Sequence, residues 1–313
     1  MNARISAVRR GEWLELMPGK LVPAEGQDRL TAALAWLEGS YGAPPKLLRR
    51  LQAEGGVKLA GDRLRLRVFP PRESGFAPLE AEAEQLAVLY EDDFSLVVHK
   101  PAGVKVHPDG SGAGAAAKPG APRATLANMV AALYAGRGEA VAAAHIHRLD
   151  DFTSGPVLFA KNEYAQLKLD EAMSRKVIGR TYIAFVHGIV SPELQVIDQP
   201  IGRDRHHNQR RRVSPTGKPA LTRVELVEVY PAHGASLVRL TLETGRTHQI
   251  RVHLSAAGHP LIGDALYGGS TARLPNQALH GERLAFPDPL TGETVEVEDP
   301  WPDGLQKLRA KLR

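Results

Sequence analysis

The segment His-Ile-His-Arg-Leu-Asp-Asp-Phe-Thr-Ser-Gly, residues 145–155, concentrates the groups that could do chemistry. The hydroxyl residues and glycine at its end favour a tight, hydrogen-bonded turn. Asp150 lies two residues after Arg148, and a carboxylate held beside arginines is a competent nucleophile or base toward a sugar or a base ring. The alternative is that Asp150 is only the buried structural partner of an arginine.

Patterns for other chemistries are weak. His145 and His147 are two residues apart, and His248 and His253 are five apart, unlike the i, i+4 pair of a zinc-binding helix. The chain has no cysteine, P-loop, dinucleotide-binding glycine motif or G-x-S-x-G segment. The sequence therefore predicts a site with no metal and no cofactor.

Basic residues are concentrated in two regions of a chain whose net charge is +5. Residues 46–72 contain eight lysines and arginines, and residues 203–223 contain seven with Asp204 as the one acidic residue. Two separated basic regions indicate two places where an RNA phosphate backbone could lie. The alternative for either region alone is an ordinary solvated surface.

Residues 1–15 show no apolar stretch of the signal-peptide type, and no run approaches the roughly 20 apolar residues of a membrane span. The absence of cysteine fits a reducing compartment. We therefore expect a cytoplasmic protein that has no membrane partner and acts as a monomer.

The chain divides by composition into a small N-terminal α+β domain, residues 1–75, and a larger domain, residues 76–313. In the first, the pattern predicts a helix with Leu47, Leu48 and Leu51 inward, then a hairpin that turns at 60–62. Arginines alternate with apolar residues on its second strand, which makes that strand a possible RNA surface.

In the larger domain, residues 181–188 are apolar on both faces and predict a central strand. Residues 222–230 and 236–244 predict an antiparallel hairpin, and a helix is expected to begin at Thr247 and end at Gly258. Residues 110–122, rich in Gly, Ala and Pro, predict a mobile insertion. The fold class is α+β.

Six ordered motifs across residues 85–290, about two-thirds of the chain, resemble those of the RluA-type pseudouridine synthases. "HRLDDFTSG" fits the signature His-Arg-Leu-Asp-x-x-Thr-Ser-Gly. The other five are "VVHKPAGVKVHP", "GRTYIAFVHG", "QPIGRD…GKPALT", "LETGRTHQIRVHLSAAGHPLIGDALYG" and "ALHGERLAF". The resemblance implies a catalytic domain built on a central, mostly antiparallel mixed sheet flanked by helices and loops.

The resemblance also implies the reaction: an RNA uracil is detached from its ribose, rotated and reattached through carbon, without a cofactor. The family's essential aspartate falls on Asp150, which either attacks the anomeric carbon or acts through the sugar 2′ position. One carboxylate suffices because the base is retained, whereas ordinary glycosidases need two to bring in water. The RNA is ribosomal or transfer RNA.

Other roles follow from the same resemblance. Arg148 would fill the gap left by the extruded base, and Tyr182 would pack against the uracil. Arg246 is favoured over Arg251 as the arginine that pairs with Asp150. Further substrate contacts are expected from His147, from Leu261 or Ile262 as an apolar wall, and from Arg203, Arg205 and residues 210–212 on phosphates.

Residues 1–75 faintly resemble the small RNA-binding domain of many relatives, although "GGVKLAG" lacks the asparagine of that domain's hairpin. The competing interpretation of the whole chain is a catalytically idle RNA-binding or ribosome-assembly protein on the same fold. Intact Asp150, Tyr182 and Arg246 favour the enzyme.

Overall fold

The computed structural model describes residues 6–19, 21–23, 25–78, 86–108 and 124–313. The predicted insertion at 110–122 therefore lies outside the described residues. Among the described helices, every one is too short or too polar to serve as a membrane span.

The N-terminal part folds as a four-stranded antiparallel sheet, in the order β1-β2-β4-β3, with two helices. Its elements are β1 Ala7–Arg10, β2 Trp13–Leu16, α1 Arg29–Gly39, α2 Pro45–Ala53, β3 Val57–Ala60 and β4 Arg63–Leu66. Helix α2 starts at Pro45. A residue at this position has no intrahelical acceptor for an N–H, so the N–H that proline lacks costs no hydrogen bond. The predicted helix and hairpin are confirmed, and Leu47, Leu48 and Leu51 are buried.

The arginines of β4 are bound within the protein. Arg63 and Arg65 contact the buried carboxylate of Glu15 at 3.3 and 2.8 Å, because β2 and β4 pair with Glu15 opposite Arg65. Arg67 contacts Glu12 at 2.6 Å. Two glutamates thus pair with these three arginines, which the pattern of the second strand alone did not show, and the face keeps a net positive charge.

The remainder of the chain builds two further antiparallel sheets and a two-stranded ribbon. One sheet has the order β5-β6-β8-β7, the other β10-β13-β14-β9-β15-β16, and β11-β12 form the ribbon. The strands are β5 Val88–Glu91, β6 Ser95–Lys100, β7 Ala144–His145, β8 Gly155–Ala160, β9 Gly179–His187, β10 Val196–Asp198, β11 Ile201–Arg203, β12 Arg211–Val213, β13 Leu221–Tyr230, β14 Ala235–Leu242, β15 Leu279–Pro287 and β16 Thr294–Glu298. The predicted α+β class is confirmed.

Within the described ranges, four helices accompany these strands: α3 Leu126–Gly136, α4 Glu163–Ser174, α5 Gln249–Ala256 and α6 Asp303–Leu312. The helix expected from Thr247 begins two residues later, and the residue before it, His248, adopts a left-handed conformation with φ +58°. Gly258, with φ +86°, follows its end as predicted.

Strand β9 occupies the centre of the six-stranded sheet, between β14 and β15, as predicted. Its side chains alternate between two buried clusters because successive residues of a strand point to opposite faces. Tyr182 and Ala184 pack with Leu261 on one face, while Ile183 and Phe185 pack with Ile262 on the other.

The N-terminal part shares a core with the rest of the chain. Leu14 and Leu47 belong to one buried cluster that also contains Phe94, Leu158 and Tyr164. The segment 70–78 is likewise anchored, since the Arg72 N–H donates to the Ala140 carbonyl at 2.8 Å and its side chain contacts Glu163 at 3.2 Å. The described residues between 6 and 75 are therefore packed onto the rest of the chain.

Candidate active site

A cavity of about 500 Å³ brings together segments far apart in the sequence. The turn after β7, strand β9 and the start of α5 all line it. Its lining includes six residues considered in the sequence analysis, namely His147, Arg148, Asp150, Tyr182, Arg246 and Arg251. In the described ranges, no group of three or more His, Cys, Asp or Glu side chains could hold a metal ion.

The turn predicted after Asp150 is present and holds its backbone. The Thr153 N–H donates to the Asp150 carbonyl at 3.0 Å, and the Gly103 N–H donates to the Asp151 carbonyl at 2.8 Å. The Asp150 side chain is 20% exposed. Its carboxylate is therefore fixed by the turn but still accessible from the cavity.

Lys100, in the Lys-Pro-x-Gly motif, completes the support of this turn. Its ammonium group is buried and donates to the carbonyls of Asp151, Pro101 and Val104 at 2.8, 3.0 and 2.5 Å. The lysine thus ties the segment after β6 to the residue next to Asp150. Its position in a quoted motif was a signal that the sequence analysis did not use.

Arg251, and not Arg246, contacts Asp150. Arg251 Nη1 lies 3.3 Å from Asp150 Oδ2, while its Nε and Nη2 bind the buried carboxylate of Asp264 at 2.7 and 2.8 Å. Arg246 donates from Nε to the Pro219 carbonyl at 2.9 Å instead. The preference for Arg246, which rested on the motif resemblance, was wrong: Arg251 is buried in the first turn of α5 and faces Asp150, whereas Arg246 precedes the helix and bonds the Pro219 carbonyl.

Tyr182 lies on the central strand β9 and is 5% exposed. Burial raises the pKa of its hydroxyl, and the Asp150 carboxylate acts in the same direction, whereas Arg180 opposes it. The phenol therefore keeps its proton at neutral pH.

The two candidates for an apolar wall are separated by the alternation along β9. Leu261 is fully buried in the cluster that contains Tyr182, and Ile262 is fully buried in the opposite cluster. Neither lines the cavity. The structure thus contradicts a contact from Ile262 and leaves Leu261 as support behind Tyr182.

Arg148 and His147 are adjacent but differ in exposure. Arg148 is exposed and lines the cavity. His147 is buried, and its Nε2 accepts a hydrogen bond from the Leu158 N–H at 3.2 Å. Because that acceptor role requires an unprotonated Nε2, His147 acts first as a structural partner of β8.

Burial, reinforced by Arg180 and His145, lowers the pKa of His147 to about 3. Between pH 6.5 and 3 the unfolded chain therefore binds a proton that the folded chain does not, and stability falls as the pH drops. We expect His147 to account for a loss of about 2 kcal/mol between pH 7 and pH 5. Urea unfolding at the two pH values measures this loss, which should largely disappear in His147→Gln but persist in the exposed control His233→Gln. Identical pH dependence in wild type and His147→Gln would refute the assignment.

Arg203 and Arg205 lie away from this cavity. They line an open concavity with residues 204, 206–208 and 211, around the connection between β11 and β12. This basic loop is open to a long ligand, but Arg203 and Arg205 do not line the cavity that contains Asp150 and Arg251.

Asp264, Tyr267 and His248 complete the site; of these, the sequence analysis considered only His248, as part of a weak metal-ligand pattern. Asp264 binds Arg251, while Tyr267 lies against Arg251 and bonds His248. All three belong to the long motif that runs from residue 242 to 268. Their side-chain types alone carried no signal, since their importance comes from contacts across α5.

The chain is similar to known proteins in sequence and in fold. Residues 94–256 match the family described as RNA pseudouridylate synthase. The chain is 41% identical over 248 residues to the RNA pseudouridine synthase YhcT of Bacillus subtilis, covering 79% of this chain and 78% of that protein. It is 37% identical to ribosomal large subunit pseudouridine synthase D of Neisseria meningitidis, covering 97% of this chain and 79% of that protein.

Solved structures show the same architecture. Human RNA pseudouridylate synthase domain containing 1 is 26% identical, with a TM-score of 0.57 over 74% of this chain and 95% of that one. Family motif, relatives and fold thus agree, and the chain belongs to the RNA pseudouridylate synthase family that its RluA-type motifs predicted, as an isomerase that acts on RNA.

Proposed function

We propose that this chain converts a uridine of large-subunit ribosomal RNA into pseudouridine, with Asp150 as the catalytic carboxylate. The observation that carries the proposal is a partly exposed carboxylate, in a cavity of about 500 Å³, whose Oδ2 is held by the buried Arg251. A guanidinium bound on its other edge by Asp264 cannot swing away, so it fixes the orientation of the Asp150 carboxylate.

The target uridine must leave its stack before Asp150 can reach it. Since Arg251 occupies Oδ2, the proposal assigns the attacking role to Oδ1. Attack at the anomeric carbon and action through the 2′ position are both compatible with this arrangement. In either case the uracil stays in the cavity, so no second carboxylate is needed to activate water.

Tyr182 and Arg148 are assigned to the extruded nucleotide. The buried ring of Tyr182, supported from behind by Leu261, gives the uracil a flat apolar surface. Late in the reaction N1 of the rotated uracil must gain a proton and C5 must lose one; Tyr182, whose raised pKa keeps the hydroxyl protonated, gives its proton to N1 and recovers one from C5. The exposed guanidinium of Arg148 is planar and is placed to stack where the uridine had been.

The choice of RNA is supported by the relatives. Ribosomal large subunit pseudouridine synthase D of Haemophilus influenzae is 33% identical across 100% of this chain and 95% of its own length. That alignment includes residues 1–75, which we propose form an RNA-anchoring module with exposed Lys46 and Arg49 on α2. Action on ribosomal RNA in the cytoplasm of a bacterial cell follows from this assignment.

The proposal is tested by offering the purified chain unmodified large-subunit ribosomal RNA and, separately, transfer RNA. Carbodiimide mapping should detect new pseudouridine in the ribosomal RNA. Modification of transfer RNA alone would contradict the substrate assignment. Binding of both RNAs without modification of either would instead support the idle RNA-binding protein.

The basic loop that contains Arg203 and Arg205 is proposed to hold RNA phosphates. Replacing both arginines by alanine should raise the Kd for RNA about tenfold at 0.1 M salt and reduce the slope of log K against log salt by about 1.4 to 1.8. The rate constant at saturating RNA should fall by less than the Kd rises, because neither residue contacts Asp150 and the basic residues 210–212 still hold RNA against β12. Filter binding across a salt series measures this, with Lys307→Ala/Lys311→Ala on α6 as the charge-matched control. An unchanged salt slope would exclude phosphate contacts at this loop.

A further inference from the structure

Tyr267 connects the ribbon of β11 and β12 to the cavity around Asp150 through its hydroxyl group. It lies in a 3₁₀ turn, Ala265–Tyr267, and is 4% exposed. Its oxygen accepts a hydrogen bond from the Arg211 backbone N–H of β12 at 2.9 Å. The same oxygen lies 2.9 Å from Nδ1 of His248, which lines the cavity around Asp150.

The ring of Tyr267 lies against the arginine that holds Asp150. The guanidinium carbon of Arg251 is 4.9 Å from the ring centroid, within the range of a cation–π contact. The guanidinium carbon of Arg210, next to β12, is 5.5 Å from the same centroid. One aromatic side chain therefore contacts both the ribbon and the catalytic ion pair.

A small buried cluster joins the same elements. Ile201 of β11 and Val252 of α5 pack with Tyr267 and Ala220, and Val213 of β12 packs against them. Arg251 is adjacent to Val252 on α5. Because packed interiors transmit displacement instead of absorbing it, a shift of the ribbon is passed to the helix that carries Arg251.

His248, which bonds the Tyr267 hydroxyl, has an uncommon backbone conformation. Its left-handed backbone is rare for a residue with a side chain, and strain of this kind is found preferentially at functional sites. The Tyr267 hydroxyl accepts from the Arg211 N–H and retains one proton to donate, and we assign that proton to Nδ1 of His248. The proton of the neutral imidazole is then on Nε2, which makes His248 a hydrogen-bond donor with a fixed tautomer.

We propose that Tyr267 is a positioning residue that couples docking of RNA on the β11–β12 ribbon to the geometry of His248 and of the Asp150–Arg251 pair. The inference rests on the proposed function and goes beyond it, because it makes the rate of the chemical step depend on the ribbon. RNA that engages the ribbon aligns the cavity, and RNA that does not is bound but processed slowly.

The test uses Tyr267→Phe, which removes the hydroxyl and retains the ring. We expect kcat on the ribosomal RNA substrate to fall about tenfold, while the Kd for RNA changes less than twofold. The acid limb of the kcat–pH profile should move to higher pH, because His248 loses the donor that favours its neutral form. The matched control is Tyr230→Phe. Tyr230, on β13, is similarly buried, and its hydroxyl bonds Glu228 at 2.9 Å, away from the cavity around Asp150.

A second variant and a second readout separate positioning from general damage. Tyr267→Phe should slow the His248→Asn variant less than it slows the wild type, because the two substitutions share the Tyr267–His248 hydrogen bond, although Tyr267→Phe also removes the Arg211 bond. Hydrogen exchange, which does not require turnover, should show that RNA binding protects α5 amides in wild type and much less in Tyr267→Phe. Equal protection in both proteins, or a kcat matching the Tyr230→Phe control, would overturn the coupling. A wild-type chain without activity on any RNA would overturn the proposed function instead.

Discussion

Asp150→Asn is expected to reduce pseudouridine formation by on the order of 10⁴-fold, since removing a group that takes part directly in bond making costs this much in enzymes. The amide has nearly the shape of the carboxylate but is neither a nucleophile nor a base. Arg251 keeps its two bonds to Asp264, so the fold should remain intact. Single-turnover assays measure the rate, and filter binding should give a Kd for RNA within threefold of wild type.

Asp151→Asn is the matched control for this variant. Asp151 is the next residue, its side chain is 52% exposed, and its carboxylate contacts only Lys105, at 3.9 Å, among the ion pairs of the described residues. Its rate should stay within about threefold of wild type, because the turn is held through the Asp151 backbone carbonyl, which the substitution retains. A slow Asp151→Asn beside an active Asp150→Asn would show that Asp151, and not Asp150, is the catalytic carboxylate.

Arg251 substitutions should have the second largest effect and should affect both stability and rate. Arg251→Leu leaves the carboxylate of Asp264, whose side chain is 1% exposed, without its buried partner. Breaking a buried ion pair in this way costs about 3 to 5 kcal/mol of unfolding free energy. The rate should fall about 100-fold or more, because Asp150 loses the donor that orients it.

Arg251→Lys and Arg246→Leu make this prediction specific. Lysine keeps the charge but cannot chelate Asp264 with two nitrogens while reaching Asp150, so it should fold and still be slow. Arg246→Leu loses a bond to the Pro219 carbonyl and should be slowed less than tenfold. Urea unfolding and single-turnover rates together decide the outcome. A slow Arg246→Leu beside an active Arg251→Lys would restore the original preference for Arg246.

Features set by local pattern could be predicted from the sequence. The alternation of apolar residues identified the hairpin of β3 and β4, and apolar residues on both faces of the strand identified β9 as central. The motif containing Asp150 predicted where the site lies, because residues next to Asp150 in the sequence form the turn that holds it. In each case the determining interactions lie within a few residues of the chain.

Features set by contacts between distant segments could not be predicted in this way. The choice between Arg246 and Arg251 depends on where α5 begins, which depends on the left-handed His248 and on the Tyr267 hydroxyl that bonds it. The contacts of the β4 arginines with Glu15 depend on the strand pairing that places Glu15 opposite Arg65. The shared core of the two domains has no signature in either segment alone.

Release of hydrogen from C5 of uracil tests the central claim most directly, because reattachment through that carbon displaces the hydrogen it carried. Large-subunit ribosomal RNA transcribed with [5-³H]uridine is incubated with the purified chain, and tritium in water is counted against pseudouridine in the RNA. The account predicts one tritium released per pseudouridine formed by the wild type, and none above background by Asp150→Asn. Bound RNA that retains all of its tritium with the wild-type chain, or equal release by Asp150→Asn, would contradict it.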